Sequence, residues 1–307
     1  MKVLATVDLP DEVMARFEQR MTVVRGGPEK AEAFQPDAIL CSIIPYRFDQ
    51  QTIANLPASV KAIATYSVGH DHIDLAAART RGIAVFSTPG VLSDAVAEVA
   101  MLLILGAARR ATESIALLRE GRWTGWTPSQ LIGEGLDGKT LGIFGMGNIG
   151  RRIARRARAF GMSIAYHDRA PVADEDARYH ADPLTLLSES DVILLAWPST
   201  AETRHFIDAE RLRLVKSSAI IVNIGRGDLV KDDDLIQALR DGTVLAAGLD
   251  VFENEPHLDP GYLDLPNAFL LPHIGSSTWG ARLAMADLLV DALETNEAGG
   301  IPHNRIA

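Results

Sequence analysis

Three residues that lie far apart in the 307-residue chain are of types that can together move a proton and hold an anion: Arg226, Glu255 and His273. An imidazole can act as an acid near neutral pH. A carboxylate on its other ring nitrogen fixes the tautomer and stabilises the imidazolium. A guanidinium grips a carboxylate through two parallel hydrogen bonds and polarises a neighbouring carbonyl. Taken singly, each has a plainer reading: Pro272-His273 as a loop histidine, Glu255-Pro256 as a surface acid, Gly225-Arg226-Gly227 as a turn. What changes their weight is a segment upstream. Gly145-Met146-Gly147-Asn148-Ile149-Gly150 fits G-x-G-x-x-G, with the apolar run Leu141–Phe144 before it and a helix-like stretch from Ile149 to Phe160 after it. In that setting the glycines serve a tight turn, close approach of a pyrophosphate, and helix–strand packing. The helix start then offers free N–H groups and the positive dipole end to phosphate. Asp168 stands 18 residues after Gly150, where a carboxylate accepts hydrogen bonds from an adenosine ribose.

A nicotinamide ring carries a hydride and no proton, so reducing a ketone with it requires an acid from the protein. His273 suits that role. Asp168 opposes a 2′-phosphate, whereas Arg169 could bind one, and the nearby acidic run Asp174-Glu175-Asp176 tilts the balance to NAD, with NADP as the alternative. Arg151, Arg152, Arg155, Arg156 and Arg158 read as an ion-paired helix face, with Arg151 the one able to reach a phosphate. His70, Asp71, His72 and Asp74 have metal-like spacing, but no metal is expected there. Asp232-Asp233-Asp234 reads as helix-start chemistry.

The elements that must position these groups follow from apolar runs that do not alternate, as strands covered on both faces require. Strands are expected at Val3–Val7, Ala38–Cys41, Ala62–Thr65 and Ile83–Phe86, then at Thr140–Phe144, Ser163–His167, Val192–Trp197, Ile220–Ile224, Leu245–Leu249 and Ala268–Leu271. Helix-like segments lie between them, which predicts an α/β chain with two Rossmann-like parallel-sheet domains and a cleft between. The expected division is 1–98 plus 279–307, with a C-terminal helix over about Trp279–Leu293 returning to the first domain, and 99–278 as the dinucleotide-binding domain. Apolar residues make up 47% of the chain and charged residues 23%, which excludes disordered and fibrous classes. A net charge of −10 disfavours nucleic acid as a partner. The single cysteine, Cys41, excludes an intrachain disulfide and points to a reducing, cytoplasmic setting. The start of the chain is unlike a signal peptide. The run Ala95–Ala108 is interrupted by Glu98 and is too short for a membrane span.

Over nearly its whole length the sequence resembles the D-2-hydroxyacid dehydrogenase family. The matching stretches are Val68–Asp74, Thr88-Pro89-Gly90-Val91, the glycine fingerprint, Asn223–Gly227, Gly248–Phe252 and Pro272–Ser276. The resemblance implies a flavodoxin-like substrate domain beside the NAD(P)-binding domain, with lobes that close on substrate. It implies that Arg226 binds substrate, that Glu255 pairs with His273, and that His273 is the acid/base. It gives the Val68 and Gly69 backbone a share in the substrate carboxylate. Its cofactor contacts would come from Gly145, Gly147, Asn148, Ile149, Gly150, Asp168, Arg169, Pro198, Thr203, Ile224, Gly225, Asp250, His273 and Gly275. Gly121–Pro128 is similar to the glyoxylate/hydroxypyruvate reductase branch, which implies a homodimer with Trp126 walling the partner's site. Two departures stand out: many relatives carry Arg where Asn148 stands, and Trp279-Gly280 is unexpected for the branch.

The expected function is reduction of small 2-oxo acids to D-2-hydroxy acids. Two alternatives remain on the residues alone. One is a nicotinamide-sensing binding protein such as a transcriptional corepressor, against which the intact Arg, Glu and His set counts. The other is a same-fold dehydrogenase for formate or phosphite, for which Glu255-Pro256 is a poorer fit.

Overall fold

Continuous runs of Val, Ile, Leu and Ala become strands buried on both faces in the computed structural model, which describes residues 1–172 and 176–307. The chain divides into two units, Met1–Leu92 with Ser276–Ala307, and Ser93–Gly275. Each has its own parallel sheet.

In the first unit the order along the chain is β1 (Lys2–Ala5), α1 (Asp11–Glu18), β2 (Thr22–Arg25), α2 (Ala31–Phe34), β3 (Ala38–Cys41), α3 (Gln50–Asn55), β4 (Ala62–Thr65), α4 (Leu75–Thr80) and β5 (Ala84–Phe86). The sheet order is β2-β1-β3-β4-β5, the flavodoxin-like arrangement. Asp49 and Asp74 cap α3 and α4, accepting hydrogen bonds from Thr52 N and Ala77 N. Leu4, Ile39, Phe48, Ile53, Ile63 and Val85 form one core beneath the sheet.

The second unit begins with α5 (Ser93–Ala108) and α6 (Ala111–Arg119). There follow β6 (Thr140–Phe144), α7 (Asn148–Ala159), β7 (Ser163–His167), β8 (Arg178–Tyr179), α8 (Pro183–Glu189), β9 (Val192–Leu195), α9 (Ala209–Leu212), β10 (Ile220–Asn223), α10 (Asp232–Asp241), β11 (Ala246–Leu249) and β12 (Ala268–Leu270). Sheet order is β12-β11-β10-β9-β6-β7-β8, so the strand order reverses between β6 and β9. That is the dinucleotide-binding pattern, extended by one strand. The division between units passes before α5, not within it at 98/99. This helix packs on α7, β10 and β11 of its own unit, and Gly248 of β11 allows the close approach: a Cβ there would meet Leu103 O at 2.8 Å. The final helix, α11 (Trp279–Glu297), is part of the first unit, where it packs on α1 and β4. Among the described residues no helix is long and apolar enough to cross a membrane.

Two strands have no counterpart in the sequence reading. β2 is a half-exposed edge strand of the smaller sheet, and β8 is a two-residue edge strand of the larger one. Neither carries the continuous apolar run that marks a strand covered on both faces.

Candidate active site

The candidate site residues of the second unit follow the carboxyl ends of its parallel strands, where ligands of such sheets bind. The turn after β6 is built by glycines with three different needs. Gly145 has φ +107°, a conformation that favours glycine, and a Cβ there would lie 3.0 Å from the Ala196 backbone. Gly150 sits in the first turn of α7, where a Cβ would fall 2.2 Å from Gly145 O. Gly147 meets nothing within 4 Å, so the turn is open on that side. Gly147 is also the N-cap of α7 and provides no side-chain cap, leaving the N–H groups of Asn148 and Ile149 without intrahelical partners. An uncapped helix start beside an open glycine fits the phosphates of a dinucleotide.

Asp168 leaves β7 and is tied to this turn. Its Oδ2 accepts from Met146 N at 2.9 Å and its Oδ1 from Arg169 N at 2.7 Å. Arg169 is exposed. Of the acidic run at 174–176, residues 174 and 175 lie outside the described residues. Of the arginines on α7, Arg152 and Arg156 each donate to Asp94 at 3.0 Å and Arg155 lies 3.5 Å from it, an ion-paired face. Arg151 donates to Met146 O of the phosphate turn at 3.3 Å. After β9, Pro198 and Thr203 share one loop, closed by Thr203 Oγ1 donating to Pro198 O at 2.8 Å. Trp197 before it packs edge-on against Phe144, Phe206 and His167, which holds the loop to the sheet.

After β10, Asn223 does something that sequence reasoning missed. Its Nδ2 donates to Arg226 O at 2.8 Å and its Oδ1 accepts from Gly225 N at 3.1 Å, clamping the turn of Ile224-Gly225-Arg226. The available signal was an Asn at a strand end two residues before a Gly, where its side chain can bond the backbone two residues on. Gly227 allows the close approach that follows, since a Cβ there would lie 1.8 Å from the Phe252 carbonyl carbon. The Arg226 turn is thereby pressed against the segment that carries Glu255.

After β11, Asp250 is buried and receives two N–H groups from the segment after β12, Ile274 N and Gly275 N, each at 2.8 Å. Burial raises its carboxyl above the ordinary range, against the pull of those two N–H groups and of His273. Asp250 O also accepts from His273 N at 2.8 Å, and His273 adopts φ +52°. These bonds aim the imidazole. His273 Nδ1 lies 2.6 Å from Glu255 Oε2, while Glu255 Oε1 accepts from Phe252 N at 2.9 Å. Burial pushes the Glu255 carboxyl up. The His273 hydrogen bond and charge, the Phe252 N–H and the Arg226 charge outweigh it, and the group sits below its ordinary value. Arg226, Glu255 and His273, separated by 29 and 18 residues in sequence, thus share one electrostatic neighbourhood.

Val68 and Gly69 belong to the first unit and follow β4. Neither backbone N–H donates to another group among the described residues, leaving two adjacent donors available. Among the described residues no three of His, Cys, Asp and Glu are grouped to hold a metal ion. Within the metal-like quartet, His72 is buried and Asp74 is a helix cap. Trp126, in the second unit, is 78% exposed, and Trp279 is the exposed first residue of α11.

A phosphate turn at a sheet reversal point, with a carboxylate-paired imidazole and a guanidinium on the neighbouring strand ends, defines a dinucleotide-dependent oxidoreductase. The comparisons narrow this class. A family profile described as "D-isomer specific 2-hydroxyacid dehydrogenase, NAD binding domain" matches residues 101–275. A glycerate dehydrogenase from Hyphomicrobium methylovorum is 43% identical over 308 residues, covering 95% of each chain. A glyoxylate reductase from Thermococcus litoralis is 44% identical over 274 residues, 87% of this chain and 82% of that one. The structure of an NADPH-dependent glyoxylate/hydroxypyruvate reductase from Sinorhizobium meliloti, in complex with NADP and malonate, superposes with a TM-score of 0.90 at 34% identity, covering 100% of this chain and 96% of that one. The chain belongs to the D-isomer specific 2-hydroxyacid dehydrogenase family, and is an NAD(P)-dependent enzyme.

Proposed function

We propose that this enzyme reduces small 2-oxo acids of the glyoxylate and hydroxypyruvate type to D-2-hydroxy acids, with His273 as acid, Glu255 as its tether and Arg226 as substrate anchor. The observation that carries the reading is the 2.6 Å contact of His273 Nδ1 with Glu255, which leaves Nε2 without a hydrogen-bond partner among the described residues. The relatives named as glyoxylate reductase and glycerate dehydrogenase support the substrate class.

The bound nicotinamide supplies the hydride. Arg226 draws electron density from the carbonyl and holds the carboxylate in place. The N–H groups of Val68 and Gly69 donate to that carboxylate. His273 begins the reduction protonated on both nitrogens, bonded through Nδ1 to ionised Glu255, and passes the Nε2 proton to the substrate oxygen. Glu255 stays ionised and keeps the neutral imidazole in the tautomer that can be reprotonated. The dinucleotide is held by the Gly145–Gly150 turn, with Asn148 and Ile149 donating backbone N–H groups to phosphate and Asp168 toward the ribose. Pro198, Thr203, Ile224, Gly225, Asp250 and Gly275 shape the rest of that site. Asp168 makes NAD the preferred cofactor, and the subunits pair through the second unit with Trp126 facing the partner's site.

Steady-state rates with glyoxylate, hydroxypyruvate, pyruvate and phenylpyruvate, each with NADH and NADPH, test the substrate class. Activity confined to phenylpyruvate would reject it. His273→Ala is expected to lower kcat by about 10²–10⁴ with NADH affinity little changed. Near-normal turnover in that variant would remove His273 from the role of acid.

A further inference from the structure

Between β4 and α4 of the first unit lies a buried polar cluster that the mechanism does not use. Thr65 and His72 are 0% and 3% exposed, and Ser67 is buried beside them. Their hydrogens can be assigned by counting donors. Ser67 has one O–H and gives it to Gly69 O, 2.6 Å away. Thr65 Oγ1 stands 2.7 Å from Ser67 Oγ, and because the Ser67 proton is already committed, Thr65 must donate. Thr65 then has no proton left for His72 Nε2 at 3.0 Å, so that nitrogen carries one and donates. The result is a chain running one way, from His72 Nε2–H to Thr65, to Ser67, to the carbonyl of Gly69. Cys41 Sγ lies 3.9 Å from the same nitrogen, and burial pushes its thiol up to about 12, so it stays neutral and introduces no competing charge.

We propose that His72, Thr65 and Ser67 are positioning residues for the substrate, acting together to set the orientation of the Val68–Gly69 backbone. This rests on the reading that the N–H groups of Val68 and Gly69 receive the substrate's carboxylate. The last link joins the side chain of residue 67 to the carbonyl of residue 69, closing a small ring across Val68 and restricting the torsions that aim both N–H groups. The stretch from Ser67 to His72 that contains the ring is anchored at both ends: Thr88 N donates to Ser67 O at 3.0 Å, and Phe48 N to His72 O at 2.7 Å. Glycine alone at position 69 is free to turn its N–H away from a ligand. Hydrogen bonds in such a chain strengthen one another in a dry interior, so losing any one link loosens the whole.

Thr65→Val keeps the side-chain shape and cuts the chain in the middle. Ser67→Ala removes its final link. Each is expected to raise KM for the preferred 2-oxo acid about tenfold at saturating NADH, the cost of one misplaced buried hydrogen bond, with kcat within about twofold and NADH affinity unchanged. The double variant should be no worse than Ser67→Ala alone, since both cut one chain, and Thr65→Ser should restore KM. Gly69→Pro, which deletes an N–H, separates the two layers of the argument. If it raises KM while Thr65→Val and Ser67→Ala lower only thermal stability, the turn binds carboxylate but the chain does not position it, and the proposal fails. If all three leave KM unchanged, the carboxylate does not bind at this turn and the reading beneath the proposal fails with it.

Discussion

At the scale of single residues, the pairing of Glu255 with His273 has consequences for stability as well as for turnover. The Glu255 carboxyl is held below its ordinary value of 4.5 in the folded chain. As the pH falls from that value through the depressed one, the unfolded chain takes up this proton before the folded chain does. Acid in that window therefore favours unfolding, and the stability that Glu255 contributes is present above it. Glu255→Gln is expected to flatten the acid limb of a urea-midpoint against pH curve and to lower kcat for reduction at neutral pH. An acid limb of unchanged slope would mean that the pair contributes nothing to stability. Asp168 supports a second residue-scale prediction. Both its oxygens accept backbone N–H groups, and an ionised carboxylate at that position repels a 2′-phosphate, so KM should be lower for NADH than for NADPH, and Asp168→Ser should narrow the gap. A tenfold lower KM for NADPH in the unaltered enzyme would assign the site to Arg169 instead. Arg226, Glu255 and His273 were legible in sequence because each has a reactive side chain just after an apolar run. Asn223 and the Thr65–Ser67–His72 chain were not, since their meaning lies in burial and in the direction of each O–H, which no spacing records. His72 in particular looked like a metal-type residue in sequence and is a buried donor in the fold.

At the scale of elements, the β6–α7 turn separates glycines the fold needs from glycines the cofactor needs. A methyl on Gly150 would press into Gly145 O at 2.2 Å, so Gly150→Ala must push α7 off the sheet and is expected to cost roughly 1–3 kcal/mol of stability. A methyl on Gly147 meets no protein atom within 4 Å, so Gly147→Ala should melt within a degree or two of the parent yet bind NADH at least about tenfold more weakly if phosphate approaches through that open space, as proposed. Thermal melts together with a fluorescence titration of NADH check both. Weak melting of Gly147→Ala, or normal NADH binding by it, would break the distinction. The same scale shows which elements a sequence announces. Strands covered on both faces, such as β3 and β9 with every residue buried, read as unbroken apolar runs. The run beginning at Val192 continues to Trp197, but β9 stops at Leu195, because Ala196 and Trp197 leave the ladder and lead into the loop that holds Pro198 and Thr203. Edge strands such as β2 face water on one side and have no such run to display.

At the scale of the whole molecule, the second unit exposes several large apolar side chains close together in sequence. Leu118, Trp123, Trp126 and Ile132 are 60%, 52%, 78% and 68% exposed within one stretch of the chain. Water makes such a patch costly, and covering it with a second copy removes about 25 cal/mol per Å² of apolar surface from solvent. Sedimentation equilibrium is therefore expected to give a mass twice the 33.2 kDa of the chain. If Trp126 walls the partner's site, its substitution acts in trans. Trp126→Ala should raise KM, and His273→Ala should cut turnover in its own subunit by about 10²–10⁴. Mixed and allowed to exchange, the two variants form a heterodimer in which the Trp126→Ala subunit has an intact His273 and receives Trp126 from its neighbour. One site of that heterodimer is then complete, and the mixture should regain a component with the parental KM. A mixture that shows only the raised KM after exchange would place Trp126 outside the partner's site and leave it as interface packing alone. A monomer in sedimentation would overturn both steps.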